Sequence, residues 1–173
     1  TENIDYKGKN IAVIGENRET TIIDGSSGET NIQTVTIGVT EGQALFKGFS
    51  VINGDGGIAS KNVVIENCKV YNNDWQGTFP RSENLLIQGN TIVKNSIIIA
   101  SEYDDLFPIG VNASGGNYGN GLLVNCTIIN NYPDMETFLV EGSASLTVIN
   151  SIVGGNKILR AAEFSSNDTP SLR

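Results

Sequence analysis

The sequence predicts an all-β fold coiled from parallel strands, three to a rung, with each rung stacked on the one before it. Three observations carry that prediction. Five segments align on one template, at residues 47–54, 66–73, 88–95, 124–131 and 149–156. Their second position is always Gly or Asn (Gly48, Asn67, Gly89, Asn125 and Asn150). Those residue types enter the left-handed backbone region at least cost, so each unit bends sharply there. Apolar residues two apart precede the bend at Ala44/Phe46, Val63/Ile65, Leu85/Ile87 and Leu146/Val148, and Phe49/Val51, Cys68/Val70 and Cys126/Ile128 follow it. That alternation is the pattern of a half-buried strand.

Taken in order, residues 2–11 and 20–25 read as opening rungs. From there the third template position falls at Phe49, Cys68, Asn90, Cys126 and Ser151, at spacings of 19, 22, 36 and 25 residues. A second Asn/Gly cluster closes each unit, at Asn53-Gly54, Asn72-Asn73, Asn95, Asn130-Asn131 and Gly155-Asn156, and marks the next corner. A third apolar run follows most of these corners: Ile58-Ala59, Thr78-Phe79, Ile97 to Ile99, Phe138 to Val140 and Ala161-Ala162. These runs read as the first strand of the following rung. A rung this short cannot close a core alone and must stack on its neighbours. The expectation is one domain over residues 1–173, with six or seven rungs and a length of about 30 Å at roughly 4.8 Å per rung. The long spacing holds an inserted loop at about 101–121, and residues 165–173 form a polar tail.

Composition narrows the chemistry. The chain has 173 residues, 39% of them hydrophobic and 17% charged, and it contains no histidine. Ser-His-Asp and Cys-His nucleophile systems and imidazole acid-base catalysis are thereby excluded. A net charge of −8 argues against a nucleic-acid partner, which a basic face would attract through counterion release. No run approaches the roughly 20 apolar residues of a membrane helix, so membrane insertion is not expected. Cys68 and Cys126 share a template position with Asn90 between them. Two rungs would separate their Cα atoms by about 9.6 Å, beyond the roughly 7 Å reach of a disulfide, so two free inward-facing thiols are expected. Asn90 would then face the core and need a hydrogen-bond partner, unless the local register is shifted. Asn112, Asn125 and Asn167 open glycosylation sequons, a three-residue pattern that arises often by chance.

The repeat resembles the right-handed parallel β-helix repeat family, the pectin-lyase-like superfamily, and in particular its bacterial secreted members. The resemblance covers about residues 10–156 and implies an asparagine ladder at the bend between the second and third strands, where Asn67, Asn125 and Asn150 match. Relatives carry an N-terminal capping helix that residues 1–10 do not supply, which implies that the chain is cut from something longer or meets a partner there. The resemblance also implies ligands along the first-strand face, between its flanking loops. There Trp75 and Tyr103 would form an aromatic platform, Asp104 and Asp105 would take sugar hydroxyls or Ca²⁺, and Arg81 would take a uronic acid carboxylate. The plain alternative is a solvated acidic loop beside a half-buried Trp75.

Two features weigh against catalysis. The outward first-strand positions, read as Ala59, Thr78, Pro80, Ile98, Ala100 and Leu139, are apolar rather than acidic. The family's galacturonases carry a Gly-His-Gly element that a chain without histidine cannot have. The leading expectation is therefore a secreted or cell-surface module that binds a polysaccharide, an oligosaccharide or another protein chain, with no certain cofactor. One alternative is a Ca²⁺-dependent polysaccharide lyase with Arg81 or Arg160 as base. The other is a self-associating structural or adhesin segment that forms a homo-oligomer or packs on a flanking domain. Apolar outward positions on the second strand (Val64, Leu86, Leu122, Val124 and Ile149) favour packing of that kind.

Overall fold

A computed structural model describes residues 2–26, 33–73, 83–100, 107–112, 119–130, 136–155, 157–162 and 171–173. All regular structure among them is strand, and every strand pairing is parallel. Three faces wind in the same order in every rung, so the chain is a parallel β-helix.

The first face stacks Ile4–Asp5, Val35–Gly38, residues 58–61 and 85–88, Ile109–Val111, Glu136–Glu141 and Lys157–Ala162. The second stacks Ala12–Ile14, Ala44–Lys47, residues 63–66 and 91–94, Asn120–Val124, Ser145–Ile149 and Ser171–Leu172. Ile58–Glu66 and Leu85–Lys94 each run through both faces, which joins them into one 12-stranded sheet. The third face is a separate six-stranded sheet of Ile22–Asp24, Ser50–Ile52, Lys69–Tyr71, Ile97–Ile99, Thr127–Ile129 and Ile152–Gly154.

Period-two alternation points one side chain of each strand inward, and stacking turns these into columns. Val35, Ile58, Leu85, Ile109 and Phe138 form one column on the first face, all buried. Phe46, Ile65, Val93 and Leu123 form the second-face column, and Ile23, Val51, Val70, Ile98 and Ile128 the third. Each buried side chain of this size contributes roughly 1.5–3 kcal/mol relative to exposure.

Left-handed residues make the corners. At the second bend, between the second and third faces, positive φ falls at Gly48 (81°), Asn67 (51°), Asn95 (53°), Asn125 (53°) and Asn150 (47°). At Gly48 a Cβ would also run into the Gly15 carbonyl oxygen, so glycine is required twice over. An amide ladder is present and includes two of the three expected residues, Asn125 and Asn150: Asn150 Nδ2 donates to Asn125 Oδ1 (2.6 Å), and Asn125 Nδ2 to Asn95 Oδ1 (3.4 Å).

Asn95 in that ladder corrects the register of the third repeat unit. Residues 88–95 contain two left-handed points, Gly89 (φ 64°) and Asn95. The template placed the second bend at Gly89, but pairing of Val63 to Glu66 with Thr91 to Lys94 puts residues 91–94 on the second face. Gly89 instead belongs to the first bend, with Asn62 (φ 56°). The true spacings, through Phe49, Cys68, Ser96, Cys126 and Ser151, are 19, 28, 30 and 25 residues. Ile97–Ile99 is accordingly a third-face strand, and Ile98 points into the core rather than outward from the first face. Thr91 is buried on the second face, and Thr127 lies on the third. Leu85 and Ile87 sit on the first face, and Leu86 is paired there with Ala59 and Gly110. Within the segment read as an inserted loop, Ile109–Val111 forms a regular first-face strand.

Asn90 is exposed, and Ser96 is the residue that lies between the two cysteines. Ser96 Oγ accepts the Cys68 N–H (3.1 Å) and donates to the Lys94 carbonyl (2.9 Å). Ser151 does the same for Cys126 (3.0 Å) and the Ile149 carbonyl (2.8 Å). Both thiols are free and buried, each pointed at the carbonyl two residues back, and burial pushes both pKa values up. A thiolate is the reactive form, so both should resist a thiol reagent in the folded protein and react together on unfolding. Thiol titration with and without denaturant checks this, and fast labelling of the native chain would contradict it.

Candidate functional site

The first bend, between the first and second faces, carries a chain of polar side chains along the helix axis. Ser145 Oγ donates to Asn120 Oδ1 (2.7 Å), and Asn120 Nδ2 to Asn90 Oδ1 (3.1 Å). The Asn90 backbone N–H donates to Asn62 Oδ1 (3.0 Å), and Asn62 Nδ2 to the Val39 carbonyl (2.7 Å). Asn90 and Asn120 are exposed. A primary amide has two donor hydrogens and two acceptor lone pairs, so the ladder consumes only part of each and leaves the remainder facing water.

Aliphatic side chains line one flank of this strip. Leu45, Val64, Ile92 and Leu122 are register neighbours on the outer side of the second face, all half-buried. Two residues further along the same strands, Glu66 bridges Lys47 and Lys94, each at 3.0 Å. Hydrogen bonds from Lys94 and then Lys47 hold the Glu66 carboxyl below its ordinary range. Exposed bridges of this kind are worth roughly 0.2–1 kcal/mol, so the row organises the wall more than it stabilises it.

Polar residues line the opposite flank, on the outer side of the first face. Lys61 pairs in register with Gln88, and Asn112 and Glu141 hold the corresponding places in the next two rungs. Ala59 and Leu139 do occupy outward positions, as the sequence indicates. Leu139 and Glu141 are nonetheless almost fully covered, and the Glu83 side chain lies over Gly110. The accessible part of the wall is therefore the bend itself rather than the middle of the first face.

Trp75, Arg81, Tyr103, Asp104 and Asp105 lie outside the described residues, as do Thr78, Phe79 and Pro80. Arg160 lies in the first-face strand Lys157–Ala162, paired with Leu139 through the backbone. Among the described residues no three acidic or cysteine side chains are grouped to hold a metal ion. The strip at Asn62, Asn90, Asn120 and Ser145 was not picked out from the sequence. Its signal was there: asparagine is disfavoured within strands, and these sit inside or beside strong ones.

The class that the fold defines is the parallel β-solenoid. Comparison with known proteins finds no family model that matches the chain, and no curated protein or solved structure that matches it.

Proposed function

We propose that the chain is a non-catalytic β-helix module of the pectin-lyase-like kind, secreted or on a cell surface, that binds a neutral polysaccharide along its first bend. The observation that carries this reading is the amide strip with an aliphatic flank, exposed at Asn90 and Asn120 and half-buried at Asn62, beside Val64, Ile92 and Leu122. Sugar hydroxyls pair with the outward amide hydrogens and oxygens, while the C–H faces of the rings pack on the aliphatic side chains. A periodic polymer suits a periodic wall, because contacts that are weak singly add along the chain. The net charge of −8 favours a neutral polymer over a polyanion.

Affinity electrophoresis through gels containing glucan, mannan or xylan tests the reading. At least one neutral polymer should retard the protein, and Asn90→Ala with Asn120→Ala should weaken retardation by about tenfold or more. Ile129→Ala, on the third face, should leave it unchanged. No retardation by any of the polymers, or retardation indifferent to the two asparagines, would overturn the proposal. Polygalacturonate with Ca²⁺ is the counter-arm. Ultraviolet-absorbing unsaturated products there would place the chain with Ca²⁺-dependent lyases and remove the non-catalytic part of the reading.

A further inference from the structure

The four most exposed isoleucines among the described residues occur as two pairs at opposite ends of the second bend. Ile14 (62% exposed) and Ile22 (52%) flank it in the first rung, and Ile149 (49%) and Ile152 (70%) flank it in the sixth. Ile14 and Ile149 are the two ends of one outward column, which runs Ile14, Lys47, Glu66, Lys94, Val124, Ile149. Ile22 and Ile152 end the neighbouring column on the third face. In both columns five rung steps, about 24 Å, separate the ends.

We propose that the second bend is a self-association surface on which two copies of this chain pack side by side and antiparallel. The twofold axis lies between the Glu66 and Lys94 levels. A twofold of that orientation sets each column against its own reverse. Ile14 then meets the partner's Ile149, and Ile22 meets the partner's Ile152, so the four most exposed isoleucines of each copy are covered together, while Ile11 (43% exposed) lies off the bend. At the centre Glu66 meets the partner's Lys94, and Lys94 the partner's Glu66, so opposite charges face each other twice.

Residues 15–21 form a strap along the same bend, and Arg18 extends from it to the fourth rung, just past the axis. The Ser50 hydroxyl donates to the Arg18 carbonyl (2.6 Å), and Arg18 Nη1 donates to the Asn95 carbonyl (3.1 Å). Beyond Asn95 the bend is exposed at Asn125 and Asn150. Antiparallel packing sets the strap of one copy toward the other copy's Asn125 and Asn150, and brings the two Arg18 side chains side by side at the axis, each held by its own Glu19 (3.2 Å). Head-to-tail stacking offers no such fit, because Lys157–Ala162 and Ser171–Leu172 already occupy two faces beyond the sixth rung.

Sedimentation equilibrium of the 173-residue chain across a concentration series gives the first reading, and a reversible monomer-dimer equilibrium is expected. Ile149→Lys and Ile152→Lys change exposed positions and should each raise the dimer dissociation constant by about tenfold or more with the fold intact. A chain carrying Ile14→Cys and Ile149→Cys, oxidised under mild conditions, should form closed dimers held by two bridges, since the native thiols are buried. A ladder of trimers and higher species would mean head-to-tail contact and overturn the twofold arrangement. A monomer at every concentration, or dimers indifferent to both lysine variants, would overturn the surface itself.

Discussion

Asn73→Ala should destabilise the protein by about 3 kcal/mol or more, because one buried side chain satisfies polar groups on four other residues. Its Oδ1 accepts the Gly54 N–H (3.2 Å). Its Nδ2 is within bonding distance of the Val51 carbonyl (3.0 Å), the Tyr71 carbonyl (3.2 Å) and Asn84 Oδ1 (3.0 Å), so two hydrogens are shared among three acceptors. Asn84 in turn donates Nδ2 to the Ile99 carbonyl (2.9 Å). Asn73 and Asn84 are both buried, so water cannot replace the lost bonds unless it enters the cavity. Each buried group left without a partner costs about 1–3 kcal/mol. Asn73→Leu should not rescue the loss, since it restores volume and no bonds. Urea unfolding followed by circular dichroism measures the effect. A shift under about 1 kcal/mol for both variants would mean that the corner does not depend on this network.

The same residue illustrates what could be read from the sequence. Asn72-Asn73 was legible as a corner because asparagine tolerates left-handed backbone, and Asn72 does adopt a φ of 52°. That Asn73 turns inward as a hydrogen-bond hub was not legible, because local pattern does not say which carbonyls from other rungs will surround it. The parallel β-helix itself followed from alternation plus bends, since both are set by neighbours in sequence. Register failed at Gly89 and Asn95 for the opposite reason. Two acceptable left-handed residues stood in one unit, and only pairing with residues 63–66 and 120–124 selects between them. The thiol prediction survived that error because the separation of Cys68 and Cys126 depends on the number of rungs between them, not on which residue fills the middle one. Trp75, Arg81, Tyr103, Asp104 and Asp105, which the family resemblance implies as a ligand site, lie outside the described residues. The first-bend strip is made of residues whose significance arises only when successive rungs align them.

Phe46→Ala should cost about 3–5 kcal/mol, and its pattern of effects separates two views of how the helix holds together. Phe46 is fully buried, and its ring stacks on Phe49 across the second bend with centroids 4.8 Å apart and planes 12° apart. Removing the ring leaves a cavity bounded by Ile65 in the next rung and forfeits the stacking, which is worth a further 0.5–1.5 kcal/mol in typical aromatic pairs. For a chain of this length each kcal/mol corresponds to roughly 2–4 °C in Tm, so a fall of about 6–20 °C is expected. In a stack of rungs each unit is stabilised mainly by its nearest neighbours. If the rungs unfold as one unit, the urea midpoint falls while the slope stays constant. If the first two rungs detach separately, the slope falls too, and hydrogen exchange quickens in residues 12–14 and 44–52 before residues 120–129. The continuous strands Ile58–Glu66 and Leu85–Lys94 bind two faces together just beyond Phe46. They form the firmest part of the stack, so detachment should stop there. Exchange that accelerates equally in every rung would show instead that the loss passes through those strands and that the helix unfolds as a single cooperative body.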